Sequence, residues 1–310
     1  MKENYDVIIV GAGPGGLSAA LYTSRATLKT LVLEKNMIGG LIVTTTEIEN
    51  YPGSEKGATG PSLTERMREQ CSEFGTVFEY DDITEIKKID DNFEVSGLMG
   101  KVYSAPYVIV STGSLPRQLG VKGEKELRGR GVSYCATCDA GFFREKEVLA
   151  VGGGDSALKE ALYLTKFAKK VTVIHRRDEF RASNATVENL KKCDKIEYLL
   201  SSVVDEIVGD PIVSSVKVKN LKTDEVMDYP VDGVFIFAGY TPNSSLVCDL
   251  VELNEGGYIN TDERMKTSLD GMYSVGDVRN TPLRQVITAA SDGAIAAVEI
   301  EKNLMGKVSY

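Results

Sequence analysis

Residues 5–16 read Tyr5-Asp6-Val7-Ile8-Ile9-Val10-Gly11-Ala12-Gly13-Pro14-Gly15-Gly16. The run to Val10 is short, apolar and β-branched, the pattern of a strand buried on both faces of a parallel sheet. The residues after the glycines predict a helix to about Arg25. A second apolar run, Thr30–Leu33, ends at Glu34. Strand, glycine turn, helix and strand make one βαβ unit. In Gly11-x-Gly13-x-x-Gly16 the absent side chains let the backbone approach a pyrophosphate at the helix N-terminus. Glu34 follows Gly16 by 18 residues, where a carboxylate accepts from ribose hydroxyls. This predicts a dinucleotide site.

The same grammar returns further on. Val148–Val151 reads as a strand, and Gly152-Gly153-Gly154-Asp155-Ser156-Ala157 as the glycine turn. Residues 157–169 read as a helix with Leu158, Ala161, Leu162 and Leu164 on its apolar side. Val171–Ile174 is the next strand. Lys166, Lys169 and Lys170 lie where cations complement a helix C-terminus. Gly11 and Gly152 stand 141 residues apart, an internal duplication of a nucleotide-binding unit.

The second unit differs at the end of its second strand. There His175-Arg176-Arg177, with Arg181 beyond, takes the place of Glu34. A carboxylate would repel a 2′-phosphate, whereas guanidinium groups hydrogen-bond it in pairs. The second site is therefore expected to prefer NADPH over NADH; the bland alternative is a solvated basic turn. His175, the one histidine, reads as a nucleotide contact or as packing.

Between the units, residues 76–110 look like a β-rich insertion, with Val77–Tyr80, Phe93–Val95 and Val102–Tyr103 as candidate strands. Val108–Val110 is a further buried strand, closed by Ser111-Thr112-Gly113. Residues 114–118 and 240–245 carry Pro116, Pro242 and small polar residues and read as domain crossings. Met272–Val275 is strand-like and leads to Gly276-Asp277, Arg284-Gln285-Val286 and a small-residue helix over Ala289–Ala297. The expected fold is α/β, two Rossmann-like domains of three-layer ββα type, one inserted into the other. Residues 1–113 and 245–310 form the first, and residues 114–244 the second.

Five cysteines stand at 71, 135, 138, 193 and 248. An odd number at irregular spacing argues against a secreted disulfide framework. Cys71, Cys193 and Cys248 read as small buried hydrophobes. Cys135-Ala136-Thr137-Cys138-Asp139 differs: its two thiols can close a small disulfide ring. Zinc would need two further ligands, and none is evident, so redox use is the reading and no metal is expected. Asp139 is placed either to donate a proton during dithiol chemistry or to cap a turn.

The chain has 310 residues, long enough for two domains, with 42% hydrophobic and 26% charged residues. A formal net charge of −9 argues against a nucleic-acid binder. No apolar run is long enough to span a bilayer, and no signal-peptide pattern opens the chain, so a cytoplasmic protein off the membrane is expected.

Taken together, these motifs resemble the low-molecular-weight thioredoxin reductases over nearly the whole chain. Thr45-Thr46-Glu47-Ile48-Glu49-Asn50-Tyr51-Pro52-Gly53 resembles the family's flavin-side segment, and Phe237–Asn243 its return crossing. The resemblance implies that Gly11, Gly13, Pro14, Gly16, Glu34, Lys35, Gly40, Leu41, Asn50, Thr112 and Gly113 hold FAD, closed over by Gly276, Asp277, Arg284, Gln285 and Val286. It implies that Gly152, Gly154, Asp155, Ser156, Ala157, His175, Arg176, Arg177 and Arg181 hold NADPH. Cys138 would then face the flavin, Cys135 would attack a protein disulfide, and Asp139 would supply the proton. The implied partner is thioredoxin or a thioredoxin-like protein. The implied assembly is a homodimer whose NADPH domain rotates between two arrangements. Two positions depart from the family pattern. Leu41 follows Gly39-Gly40 where the family has Gln, removing a polar flavin contact. Ala140 follows Asp139 where the family has Gly, which is expected to shift the dithiol loop.

Three rival readings predict different behaviour. A flavin dithiol oxidase would make little use of NADPH, and a ferredoxin-driven reductase would lack the arginine cluster. A nucleotide-sensing binding protein would hold FAD without NADPH-driven reduction.

Overall fold

Val7–Val10 and its neighbours are buried on both sides because each face of their sheet carries a separate layer. The computed structural model describes residues 2–45 and 47–307; Met1, Thr46 and Val308–Tyr310, on which parts of the expected segments fall, lie outside the described residues. By contacts the chain divides into two units, Met1–Leu115 with Thr241–Tyr310, and Pro116–Tyr240.

In the first unit a parallel five-stranded sheet runs in the order Met272–Ser274, Tyr107–Val110, Val7–Val10, Thr30–Glu34, Val77–Tyr80. Strand side chains alternate between faces. Ile8, Val10, Leu31, Leu33, Val108 and Val110 pack against Ile86, Phe93, Val95 and Tyr103 of a second sheet. That second sheet runs Lys2–Asn4, Val102–Ala105, Asn92–Gly97, Ile83–Ile89. Val7, Ile9, Val32 and Ile109 pack the other way, on the helices Pro14–Arg25, Gly60–Glu73 and Val286–Lys307, through Leu17, Ala20, Cys71, Ala296 and Ile300. Sheet, sheet and helices form the expected three layers, and the doubled burial accounts for strands with no polar face.

The second unit repeats the plan. Its parallel sheet runs Val132–Ser133, Gly233–Ile236, Glu147–Val151, Lys170–Ile174, Ile196–Leu199. Leu149, Ile174, Val234 and Ile236 pack on Val204, Ile207, Val216 and Val218 of an antiparallel three-stranded sheet. Val148, Ala150, Val171 and Phe235 pack on Leu158, Ala161 and Leu164 of the helix Asp155–Leu164 and on Ala136 and Ala140.

Four elements differ from the sequence reading. The helix expected over 157–169 is Asp155–Leu164. Its end is capped not by Lys166, Lys169 or Lys170 but by Lys195, whose Nζ donates to the Thr165 and Ala168 carbonyls. Lys170 already belongs to the next strand, paired with Glu197. Val77–Tyr80 is not part of the inserted sheet; it pairs in parallel with Leu31–Glu34 as the edge of the main sheet. Lys2–Asn4 is a strand of its own, paired with Val102–Ser104 in the second sheet. The final helix runs Val286–Lys307, well past Ala297. Glu299, the first charged residue past Ala297, is drawn inward by Arg264 and Lys266, so it does not end the helix.

Candidate active site

Cys135 and Cys138 are joined as a disulfide. Cys135 caps the one-turn helix Ala136–Asp139, and Ala136 at its start is fully buried. That turn brings Asp139 back beside the preceding strand, where Ser133 Oγ donates to Asp139 Oδ2 at 2.6 Å. Ser133 Oγ also accepts the Cys135 N–H at 3.1 Å. Burial pushes the Asp139 carboxyl above the usual carboxylate range, and the Ser133 hydrogen bond opposes that rise. A carboxyl whose proton affinity is raised toward working pH, beside a dithiol, suits proton exchange better than a pure cap.

Tyr134, between Ser133 and Cys135, anchors the turn from behind. Its hydroxyl donates to Glu124 Oε1 at 2.7 Å, its ring lies under the Arg128 guanidinium, and its carbonyl accepts from Tyr240 Oη at 2.9 Å. Glu124 is fully buried and also accepts the Leu119 and Gly120 N–H groups. Ala140 stands in ordinary right-handed helical backbone, φ −57° and ψ −32°, and is buried against the core. A glycine's freedom is not required there, so the anticipated loop shift has no backbone cause.

In the second unit, Arg176, Arg177 and Arg181 are exposed beyond the end of the Lys170–Ile174 strand. The Arg181 N–H donates to the Gly153 carbonyl at 2.7 Å, which ties that arginine to the glycine loop. His175 does not join the exposed row. It is 6% exposed, stacked on Phe180, and packed so closely on Gly153 that a Cβ there would overlap the ring. Burial, then the charges of Arg181, Arg177 and Arg176, push its pKa down, so the imidazole is held neutral. Asp155 is also committed to the protein: its Oδ1 accepts Ser183 N–H, Ser183 Oγ and Thr186 Oγ1. Ser156 is exposed at the first turn of the helix, Ala157 is buried beneath it, and the position above Gly154 is open.

In the first unit, Gly11 has φ +103°, and a Cβ there would overlap the Ser111 carbonyl oxygen. Only glycine permits that approach of loop and strand end. Pro14 opens the helix at its first position, where its missing N–H costs nothing. Glu34 binds the loop directly: Oε2 accepts Ala12 N–H and Oε1 accepts Asn36 N–H, both at 2.9 Å. A carboxylate has lone pairs to spare for hydroxyl donors as well. Lys35 is exposed beside it, and Gly40 and Leu41 begin the short helix Gly40–Thr44.

Residues far apart in sequence meet around this loop. Asn50 Nδ2 donates to Gln285 Oε1 at 3.0 Å, across 235 positions. Thr112 and Gly113 are held by Asn243, which accepts Thr112 Oγ1–H on its carbonyl and donates to both backbone carbonyls. The Gly276–Val278 turn is fixed by Asp292, whose Oδ2 accepts Gly276 N–H and Arg279 Nη1–H, each at 3.1 Å. Asp277, on that turn, is pushed up to about 6 by burial, with the Arg284 charge opposing. Val286 starts the final helix, and Thr288 Oγ1 accepts the Gln285 N–H at its mouth. Ser133, Ser183, Thr186 and Asp292 were not singled out by sequence. All are small or common residue types whose partners lie elsewhere in the chain or carry no motif.

The pyridine nucleotide-disulphide oxidoreductase family matches residues 5–293. A thioredoxin reductase of Peptoclostridium litorale is 50% identical over 308 residues, spanning 97% of this chain and 98% of that one. The chain belongs to the pyridine nucleotide-disulphide oxidoreductases, among the thioredoxin reductases. A further thioredoxin reductase, of Bacillus subtilis, is 45% identical over 302 residues, 97% of this chain and 95% of that protein. The crystal structure of thioredoxin reductase from Streptococcus pyogenes superposes with a TM-score of 0.93 at 43% identity, covering 98% of this chain and 99% of that one.

Membership in the thioredoxin reductases implies a flavin and a pyridine nucleotide, and the residues present accommodate both. In the first unit the Arg284 guanidinium lies over the Tyr258 ring with its buried Nε making no hydrogen bond, and nothing lies within 4 Å of a Cβ built on Gly113. In the second unit the same openness holds above Gly154, beside three exposed guanidiniums. Among the described residues no helix is long and apolar enough to cross a membrane, and no cluster of three or more His, Cys, Asp or Glu is arranged to hold a metal ion.

Proposed function

We propose that this protein is an NADPH-dependent, FAD-containing thioredoxin-disulfide reductase. The observation that carries the reading is the Cys135–Cys138 disulfide with the half-buried Asp139 carboxyl held beside it by Ser133, in the same unit as the arginine-flanked glycine loop.

When bound, NADPH and FAD supply an electron pair that reduces the Cys135–Cys138 disulfide. The first unit's glycine loop, Glu34, Asn50, Asp277 and Arg284 would hold FAD; the second loop would hold NADPH, with Arg176, Arg177 and Arg181 to meet its 2′-phosphate. The reduced Cys135 thiolate attacks one sulfur of the partner's disulfide. The partner's other sulfur leaves with the bonding pair and takes a proton from Asp139. Cys138 thiolate then attacks Cys135 Sγ, re-forming the internal disulfide and releasing the second partner sulfur as a thiolate, which takes its proton from solvent. The partner is a thioredoxin-like protein, the assembly a homodimer and the compartment the cytoplasm.

The deciding experiment is an anaerobic titration of the yellow protein with NADPH, and with NADH in parallel, following flavin absorbance. Bleaching by NADPH at far lower concentration than NADH supports the reading. Bleaching by neither overturns it in favour of oxidase or ferredoxin-driven chemistry. A Cys138→Ser protein that still reduced thioredoxin at full rate would also overturn it.

A further inference from the structure

We infer that Ser133 is a positioning residue for thiol–disulfide exchange, whose single hydroxyl holds the Asp139 carboxyl and the Cys135 backbone in one hydrogen-bonded chain. The inference rests on the reductase reading, because it assigns work to the proton that Asp139 carries there.

Ser133 is buried at the end of the Val132–Ser133 strand, paired with Phe235 of the neighbouring strand. Its oxygen therefore has a fixed place, set by the sheet rather than by the dithiol turn. Three contacts converge on it: Asp139 Oδ2 at 2.6 Å, the Cys135 N–H at 3.1 Å and the Cys135 carbonyl at 3.3 Å. A hydroxyl has one proton and two lone pairs. One lone pair is taken by the Cys135 N–H. The proton has two possible acceptors, and which one it chooses depends on Asp139.

With Asp139 ionised, the Ser133 proton points to its carboxylate, a charge-assisted bond that matches the short 2.6 Å separation. With Asp139 protonated, the carboxyl donates to the second Ser133 lone pair. The Ser133 proton then turns to the Cys135 carbonyl. Both states are satisfied without moving a heavy atom. Asp139 passes through both in each turnover, losing its proton to the departing partner sulfur and regaining one from solvent. Ser133 thus keeps the acid in one place while its charge changes.

The same bond is stronger to the ionised form, so Ser133 should hold the acid's working range lower than burial alone would. Few other groups compete. On the turn itself stand only the two cysteines. The helix Asp155–Leu164, packed against the turn, carries Asp155, Lys159, Glu160 and Tyr163, the last with its ring against Phe167. Asp155 is engaged with Ser183 and Thr186, Lys159 is exposed, and Glu160 is raised by burial alone.

The test uses the FAD holoenzyme with Ser133→Ala and Ser133→Thr. Two quantities are read: flavin bleaching by NADPH, and the pH profile of kcat/KM for thioredoxin. The expected Ser133→Ala protein bleaches like wild type. Its alkaline limb moves up by about one pH unit, and its plateau falls several-fold. Ser133→Thr, which keeps the hydroxyl, returns the limb to the wild-type position. An alkaline limb that stays put in Ser133→Ala overturns the inference, as does a limb displaced equally in both variants. Loss of bleaching in Ser133→Ala also counts against it, since Ser133 would then serve the unit's fold rather than the proton. If wild type itself bleaches but reduces no thioredoxin, the reductase reading is what fails.

Discussion

Asp155 Oδ1 accepts both the backbone N–H and the hydroxyl of Ser183, at 3.0 and 2.8 Å. With Thr186 Oγ1 as a third donor at 2.9 Å, the carboxylate is engaged by the segment that follows Arg181. The donors also hold its pKa below the usual carboxylate range, so it stays ionised. Its role is to brace the arginine segment against the glycine loop. Asp155→Ala should therefore raise the KM for NADPH about tenfold while leaving kcat within about twofold, the signature of lost ground-state positioning. Steady-state kinetics with NADPH varied distinguishes this from a direct chemical role, which would lower kcat.

The exposed guanidiniums give a second, separable effect. Arg177→Ala combined with Arg181→Ala removes charge from the proposed 2′-phosphate position without disturbing the core, because both side chains face solvent. The ratio of kcat/KM for NADPH over NADH should fall by about a hundredfold. Nearly all of that loss should lie in NADPH. Equal losses with both donors would mean that the row does not read the 2′-phosphate.

Much of the fold was legible because its signals are local. A glycine turn between a wholly apolar run and a helix needs only adjacent residues to declare itself, and the two copies reinforced each other. The dithiol was legible for the same reason: three positions of spacing place both sulfurs on one turn. What sequence missed depends on distant partners. Lys195 caps a helix 30 positions before it, whereas nearness in sequence favours Lys166, Lys169 and Lys170. Ser133 and Asp292 are common residue types, and nothing in the chain marks the first as Asp139's partner or the second as Gly276's. For His175 the sequence left a nucleotide contact and packing open, and the packing that decides it comes from Phe180 and Gly153. At the strand's end one side chain turns inward while its successors face water.

Asp277 carries a pH prediction for the flavin-free protein. Burial pushes its carboxyl up to about 6, from an ordinary value of 3.8, so folding favours the neutral form. Both folded and unfolded chains are protonated below about pH 4. As pH rises through 4 to 6 the unfolded chain ionises first, and stability is lost. Asp277→Asn is neutral throughout. It should match wild type in stability near pH 4 and exceed it by about 3 kcal/mol above pH 7. Denaturant unfolding of both apoproteins across that range checks the sign. A difference that is flat with pH, or that grows toward acid, would contradict the burial argument.

Gly153 and His175 provide the sharpest packing test. A Cβ on Gly153 would overlap the imidazole ring. The ring has no room to retreat, being stacked on Phe180 at 5.9 Å between centroids, and its backbone is fixed by bonds to Leu199 and Ser202. Gly153→Ala should destabilise the second unit by about 1–3 kcal/mol and weaken NADPH-driven flavin bleaching, since the nucleotide loop must shift. His175→Ala alone leaves a void and is destabilising in its own right. Together the two changes should be less damaging than their sum, because the methyl then enters space the ring has vacated. The histidine change has a pH signature too. The folded imidazole is held below its usual pKa, so wild type loses stability as pH falls through about 6.5, and His175→Ala should lose less over the same interval. Strict additivity of the two substitutions would show that the methyl and the ring never meet.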